Sequence, residues 1–119
     1  MASKVTVLYN VGVIKIRGTL KDPDETAAVR NILRGLIQEN IKKIVIDLSR
    51  VKRINSTGLG MLMACYSSVQ NIDGKIGLVR ISERVLKIMS ITRVEKLFDH
   101  FDSIKEAVKT YRSPINKIE

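Results

Sequence analysis

Two hydroxyls, Ser56 and Thr57, lie within the stretch Ile54-Asn55-Ser56-Thr57-Gly58-Leu59-Gly60-Met61. It follows the apolar run Ile44-Val45-Ile46-Asp47-Leu48-Ser49 and opens into an apolar helical pattern that continues through Tyr66. The hydroxyls therefore stand where a buried strand ends and a helix begins. Two readings fit these residue types. In one, Asn55 or Ser56 caps the helix while Gly58 and Gly60 allow close packing on a sheet. In the other, Ser56 is a regulatory phosphoacceptor. A phosphoryl group there adds about −1.5 to −2 charges at a helix N-terminus, whose dipole favours an anion by roughly 0.3–1 kcal/mol. Modification would then leave the fold intact and change its surface, with Arg50, Lys52 and Arg53 close enough in sequence to offset the new charge.

Other chemistry has little to work with. His100 is the only histidine and reads as an ordinary surface or half-buried residue between Asp99 and Phe101. A Ser-His-Asp triad would have to recruit it, and nothing like a nucleophile elbow surrounds any serine. The several His, Cys or clustered carboxylates of a metal site are missing. Gly58-x-Gly60 lacks the lysine of a phosphate-binding loop and the longer glycine pattern of a dinucleotide fingerprint. The lone Cys65, beside Ala64 and Tyr66, excludes an internal disulfide and reads as a packed thiol in a reducing cytoplasm. The expectation is a cytoplasmic binding protein, not an enzyme, with no cofactor.

The 119 residues suit one domain, with 45% hydrophobic residues but only 4% aromatic and no tryptophan, so Ile, Val, Leu and Met must build the core. No run approaches the roughly 18 apolar residues of a membrane span, and Met1-Ala2-Ser3-Lys4 does not begin like a signal peptide. A net charge of +9 favours anionic partners. The cations are nevertheless spread along the chain, with no interleaved aromatics for stacking bases. Neither nucleic acid nor membrane is expected as a partner.

The elements that must position Ser56 follow from periodicity. Val5, Val7 and Tyr9 alternate, Asn10-Val11-Gly12 supplies a turn, and Ile14 and Ile16 share a face until Gly18 closes the hairpin. Asp22, Pro23 and Glu25 form a helix start of capping-box type, with Val29, Ile32, Leu33, Leu36 and Ile37 as its apolar stripe and Asn40 as its stop. Ile44 to Leu48 reads as a central strand. Leu59, Leu62, Met63, Tyr66 and Val69 form the stripe of the next helix, ended by Asp73-Gly74. Leu59 can also be read as an exposed anchor. Ile76 to Val79 is a strand, Ser82 caps a helix carrying Val85, Ile88 and Met89, and Phe98 to Phe101 is a short strand. Ser103-x-x-Glu106 opens a last helix, with a frayed tail after Arg112. The whole is an α/β fold of α+β type, a mixed sheet of about five strands flanked by about four helices.

Asp47-Leu48-Ser49-x-Val51 followed by Ile54 to Gly60 resembles the signature of STAS domains, particularly the bacterial anti-sigma factor antagonists. Gly18-Thr19-Leu20, Gly74 to Val79 and Val85 to Phe98 extend the resemblance over nearly the whole chain. It implies that the unphosphorylated protein binds an anti-sigma factor that is also a serine kinase, freeing a sigma factor. Phosphorylation weakens that complex and a serine phosphatase restores it. By position the phosphoacceptor is Ser56, with ATP belonging to the kinase. The implied partner footprint is Asn55, Ser56, Thr57, Gly58, Leu59 and Gly60, joined by Asp22 and Arg53. Asn55 stands where the family usually has aspartate, and Lys21 precedes Asp22 where an acid is often found. Asn55 keeps a second reading open, that of a non-switching scaffold or interaction subunit of a signalling assembly, while Lys21, with the net charge, suggests a partner with an acidic face.

Overall fold

The computed structural model describes residues 3–112; the tail expected to fray after Arg112 lies outside them. The chain opens with a hairpin of β1 (Lys4–Leu8) and β2 (Val11–Leu20). Its turn is Tyr9-Asn10, both at positive φ (51° and 66°), the handedness that matches strand twist. The turn thus comes one residue earlier than Asn10-Val11-Gly12. Nor does β2 end at Gly18, whose φ of +85° is a local irregularity inside the strand.

Helices and strands then alternate: α1 (Pro23–Gln38), β3 (Lys43–Ile54), α2 (Ser56–Gln70), β4 (Lys75–Val79) and α3 (Glu83–Ile91). A 3-10 turn (Val94–Leu97), β5 (Asp99–Phe101) and α4 (Ile104–Tyr111) complete the described chain. The sheet order is β1-β2-β3-β4-β5, with β1 antiparallel to β2 and every other pair parallel. Right-handed crossovers that advance one strand at a time put α1, α2 and α3 on the same face. There Ile14, Ile46 and Leu48 meet Leu33, Leu62 and Met89. On the other face Val11, Val13, Val45 and Val79 meet Ala107, Val108 and Tyr111 of α4. The expected five strands and four helices are the fold that forms.

β3 is longer than its apolar run. Lys15 pairs with Asp47 but Arg17 with Arg50, and Gly18 with Val51 but Thr19 with Arg53. β3 therefore carries two extra residues, each a bulge. Burial beyond Leu48 accordingly recurs every third residue, at Val51 and Ile54, and a reading based on alternation stops too soon. Asp47 Oδ1 accepts the Ser49 N–H at 2.9 Å and so braces the first bulge.

The caps are mostly where the residue types put them. Asp22 Oδ1 accepts the Asp24 N–H at 2.8 Å, but Glu25 does not return the bond; its Oε1 is buried with no partner among the described residues. Asn40, at φ 64°, ends α1 by letting the Ile41 N–H reach back to the Leu36 carbonyl at 3.0 Å. Ser103 Oγ accepts the Glu106 N–H, while Glu106 Oε1 takes the N–H of Asp102 rather than that of the cap residue.

Two side-chain details tie the layers together. At Gly77 in β4 a β-carbon would lie 2.6 Å from Phe101 Cε2 and 2.9 Å from the Tyr111 hydroxyl. The missing side chain is the slot in which these rings meet edge to face, 5.4 Å between centroids. Tyr111 donates to Asp99 Oδ2 at 2.5 Å, joining α4 to β5. On the opposite face Cys65, 1% exposed, lies 3.6 Å from Met61 Sδ. Burial pushes its thiol up to about 12, partly opposed by the charge of Arg30. Burial, then the hydrogen bond and charge of Asp99, also raise the Tyr111 hydroxyl. An acid held neutral in the fold stabilises it below the unfolded-state value, and that contribution is lost as pH rises toward the folded-state value. Urea unfolding should therefore show stability falling from pH 9 toward 12, and at pH 8 Ellman's reagent should label Cys65 only once urea has unfolded the chain.

Candidate functional site: the junction of β3 and α2

Asn55 leaves β3 in an extended conformation and caps α2. Its Oδ1 accepts the N–H groups of Thr57 at 3.0 Å and Gly58 at 3.2 Å, and its carbonyl accepts the Leu59 N–H at 2.9 Å. Capping is thus done entirely by Asn55, leaving Ser56 free of it. Ser56 is the first helical residue and is exposed, and no side-chain hydrogen bond engages its hydroxyl among the described residues. Thr57 beside it is half-buried.

The depth at which this junction sits is set by Gly58. A β-carbon there would stand 2.3 Å from the Leu20 carbonyl oxygen and 2.6 Å from Ile54 Cγ1. The same carbonyl receives the Asn55 N–H at 3.4 Å. One group at the end of β2 therefore seats both the cap and the first turn of α2. Gly58 is buried, so its part in the loop is to position its neighbours rather than to offer surface. Gly60 behaves differently from the packing glycine expected: it is exposed, with open space where a β-carbon would be.

Seating α2 on Gly58 also fixes its rotation. Met61, Leu62, Cys65 and Val69 follow at three, four, seven and eleven residues and are buried. The expected stripe is therefore corrected. Leu62 and Val69 face the core, Leu59 and Tyr66 are half-buried against it, and Met63 is 46% exposed. Tyr66 meets Phe98 edge to face at 5.7 Å. Leu59 and Met63, four residues apart, share one outer flank of α2, and Met63 is the surface residue that sequence reasoning missed. Its signal was available: apolar residues occupy more than one face of this helix, which exceeds what one sheet contact requires.

The remaining predicted residues come together here. The pairings Thr19 with Arg53 and Leu20 with Ile54 lay the ends of β2 and β3 side by side, so the turn Leu20-Lys21-Asp22 flanks Asn55 to Gly58. Asp22 is exposed but its carboxylate is engaged at the α1 cap. Arg53 is exposed at the second bulge, with Arg50 and Lys52 exposed nearby on the same strand. His100 lies elsewhere, at β5, its Nε2 2.7 Å from the Glu95 carbonyl oxygen. No cluster of three or more His, Cys, Asp or Glu suited to a metal occurs among the described residues. No helix there is long and apolar enough to cross a membrane.

This bulged strand, Asn-capped helix and exposed serine lie within a match to the STAS domain family model over residues 2–107, and the chain belongs to that family. A Thermotoga neapolitana protein of the anti-sigma factor antagonist group is 33% identical over 73 residues, 61% of this chain and 65% of that protein's length. The alignment thus spans a little under two-thirds of that relative. A Thermotoga maritima structure of the same group superposes with a TM-score of 0.83 at 21% identity, covering 93% of this chain and 95% of that one. The anti-sigma factor antagonist SpoIIAA in its unphosphorylated form gives 0.81 at 20% identity, covering 97% and 100%. Its Bacillus counterpart in the phosphorylated form gives 0.75 at 18%, covering 93% and 100%. At these identities the structures establish a shared fold.

The cap and the two glycines separate experimentally. Asn55→Ala should lower unfolding free energy by about 1 kcal/mol through the lost cap, whereas Asn55→Asp should retain it. Gly58→Ala should cost roughly 1–3 kcal/mol because backbone must move. Gly60→Ala should be neutral or stabilise by up to about 1 kcal/mol. Urea titrations of the four variants measure all of these differences.

Proposed function

We propose that this protein is an anti-sigma factor antagonist that works by partner switching. In this reading the unphosphorylated chain binds an anti-sigma factor serine kinase through the Ser56 surface, and phosphorylation of Ser56 releases it. A serine phosphatase then resets the cycle. The observation that carries the reading is the division of labour between Asn55 and Ser56. The asparagine does all the capping, so a kinase can take the serine hydroxyl without unfastening α2.

The local electrostatics support a switch read at the surface. Asn55 Oδ1 already occupies the Thr57 and Gly58 N–H groups, so a phosphate on Ser56 is not drawn into a ready-made nest of amides. It remains exposed at the positive end of α2, a position that tolerates the charge. The exposed side chains of Arg50, Lys52 and Arg53 offset part of it through solvent. A partner whose surface had packed against a neutral hydroxyl, with Leu59 and Met63 as apolar contacts, would then face a dianion. That change works on the complex and leaves the fold in place. The names of the Thermotoga relatives and of SpoIIAA, the latter known in both phosphorylation states of this fold, support the same reading.

Asn55 is the specific observation behind the second reading, an interaction subunit that binds without switching. It caps as an aspartate would but brings no negative charge to the kinase. Incubation with the cognate kinase and ATP, followed by site-mapped mass spectrometry, distinguishes the two. One phosphoryl group on Ser56, absent from Ser56→Ala, is the expected result. Ser56→Ala should stay bound to the kinase in the presence of ATP. Ser56→Asp should bind at least about tenfold more weakly, since a charge left uncompensated in an interface costs more than 1.4 kcal/mol. An unmodified chain in a stable kinase complex would favour the non-switching subunit.

A further inference from the structure

A second surface lies at the opposite pole of the molecule and on the opposite face of the sheet from α2. Cross-strand pairing with Val11 places Leu8 on the face covered by α4. α4 packs over the inner strands and leaves a groove of about 410 Å³ between its flank and the end of β1. The floor is apolar, formed by Leu8, Tyr9, Ile104 and Val108. Leu8 and Tyr9 are 39% and 66% exposed. The rim is cationic. Lys105, Lys109 and Arg112 line it at intervals of four and three residues, and among the described residues no acidic one does. Arg112 is already held in place, its guanidinium 4.8 Å above the Tyr9 ring.

An apolar floor with a rim of one charge sign defines its occupant by complementarity. We propose that this groove docks an acidic amphipathic segment of a partner protein, apolar side chains toward Leu8 and Val108 and carboxylates on the rim. A second copy of the chain fits poorly, because a twofold contact would set the three cations against their equivalents. A membrane surface fits poorly as well, since Ile104 and Val108 lie recessed behind the cationic rim. The groove shares no residue with the Ser56 surface, so the proposal stands apart from the partner-switching reading and fails or succeeds independently of it.

The probe is a fluorescein-labelled amphipathic peptide with leucines at helical spacing and glutamates elsewhere, titrated with the full chain in anisotropy measurements. Lys105→Glu/Lys109→Glu should weaken binding about tenfold or more, as reversal of two rim charges implies. Arg84→Glu/Lys87→Glu changes net charge equally at exposed positions of α3, away from the groove and the Ser56 surface, and should weaken it less than about threefold. Leu8→Glu should also abolish binding, and methyl shifts on adding peptide should be confined to Leu8, Ile104 and Val108. Equal losses in the two charge-reversal pairs would overturn the proposal in favour of the chain's overall charge. Binding to phosphatidylglycerol vesicles but not to the peptide, lost on Lys105→Glu/Lys109→Glu, would assign the groove to a membrane instead. Methyl shifts at Leu8 and Val108 on deleting residues 113–119, with none on adding peptide, would assign it to that segment.

Discussion

Much of this molecule depends on the approach of the first turn of α2 to one backbone carbonyl, that of Leu20. The contact requires a glycine at position 58, because any side chain would collide with the Leu20 oxygen at 2.3 Å. It sets how deeply α2 sits and which of its faces turns inward. The pairing of Leu20 with Ile54 sets the ends of β2 and β3 beside each other, so the α1 cap at Asp22 and the α2 cap at Asn55 become neighbours. Interiors packed at crystal density transmit such a constraint with little slack. A shift at Gly58 would therefore move Ser56 relative to Arg53 and Lys21 together, altering the whole edge at the ends of β2 and β3.

The site separates holding from presenting. Asn55 and Gly58 hold, by hydrogen bonds through Oδ1 and by close approach. Ser56, Gly60 and Met63 present, and the fold makes few demands on any of them. That division is what a reversible modification needs, since a group that also carried the cap would destabilise the helix each time it was modified. It also explains a glycine at position 60. With open space around it, a side chain would fit and would favour the helix; without one, the surface beside Ser56 stays flat.

Legibility from sequence followed the physics of each signal. Short-range chemistry was readable: Asp22 and Pro23, Ser82, Ser103 and the αL asparagine at position 40 all end or begin helices because of their own side chains. Ile44 to Leu48 announced a strand covered on both faces. The second half of β3 did not, because two bulges replace alternation with a spacing of three. Such bulges depend on pairing with β2, a long-range fact with no local mark. The rotation of α2 was equally hidden, since Leu59-Met63-Tyr66 and Met61-Leu62-Cys65 are both plausible stripes. The contact between Gly58 and Leu20, 38 positions apart in the chain, chose between them. Glu25 was misjudged as half of a reciprocal cap; the helix start holds by Asp22 alone.

The outer edge of β1 bears on how the protein behaves in bulk. Lys4 to Leu8 is an edge strand, exposed throughout and rich in β-branched residues, with a single charge to discourage pairing with another chain. Among the described residues no helix covers it, and it contains no proline. The net charge of +9 opposes the approach of two such edges through repulsion between whole molecules. Colloidal stability is therefore borrowed from electrostatics, and salt shortens its reach to about 8 Å at physiological strength and about 3 Å at 1 M. For this chain, the concentrated salt that often keeps proteins in solution weakens the repulsion that opposes pairing of its open edge.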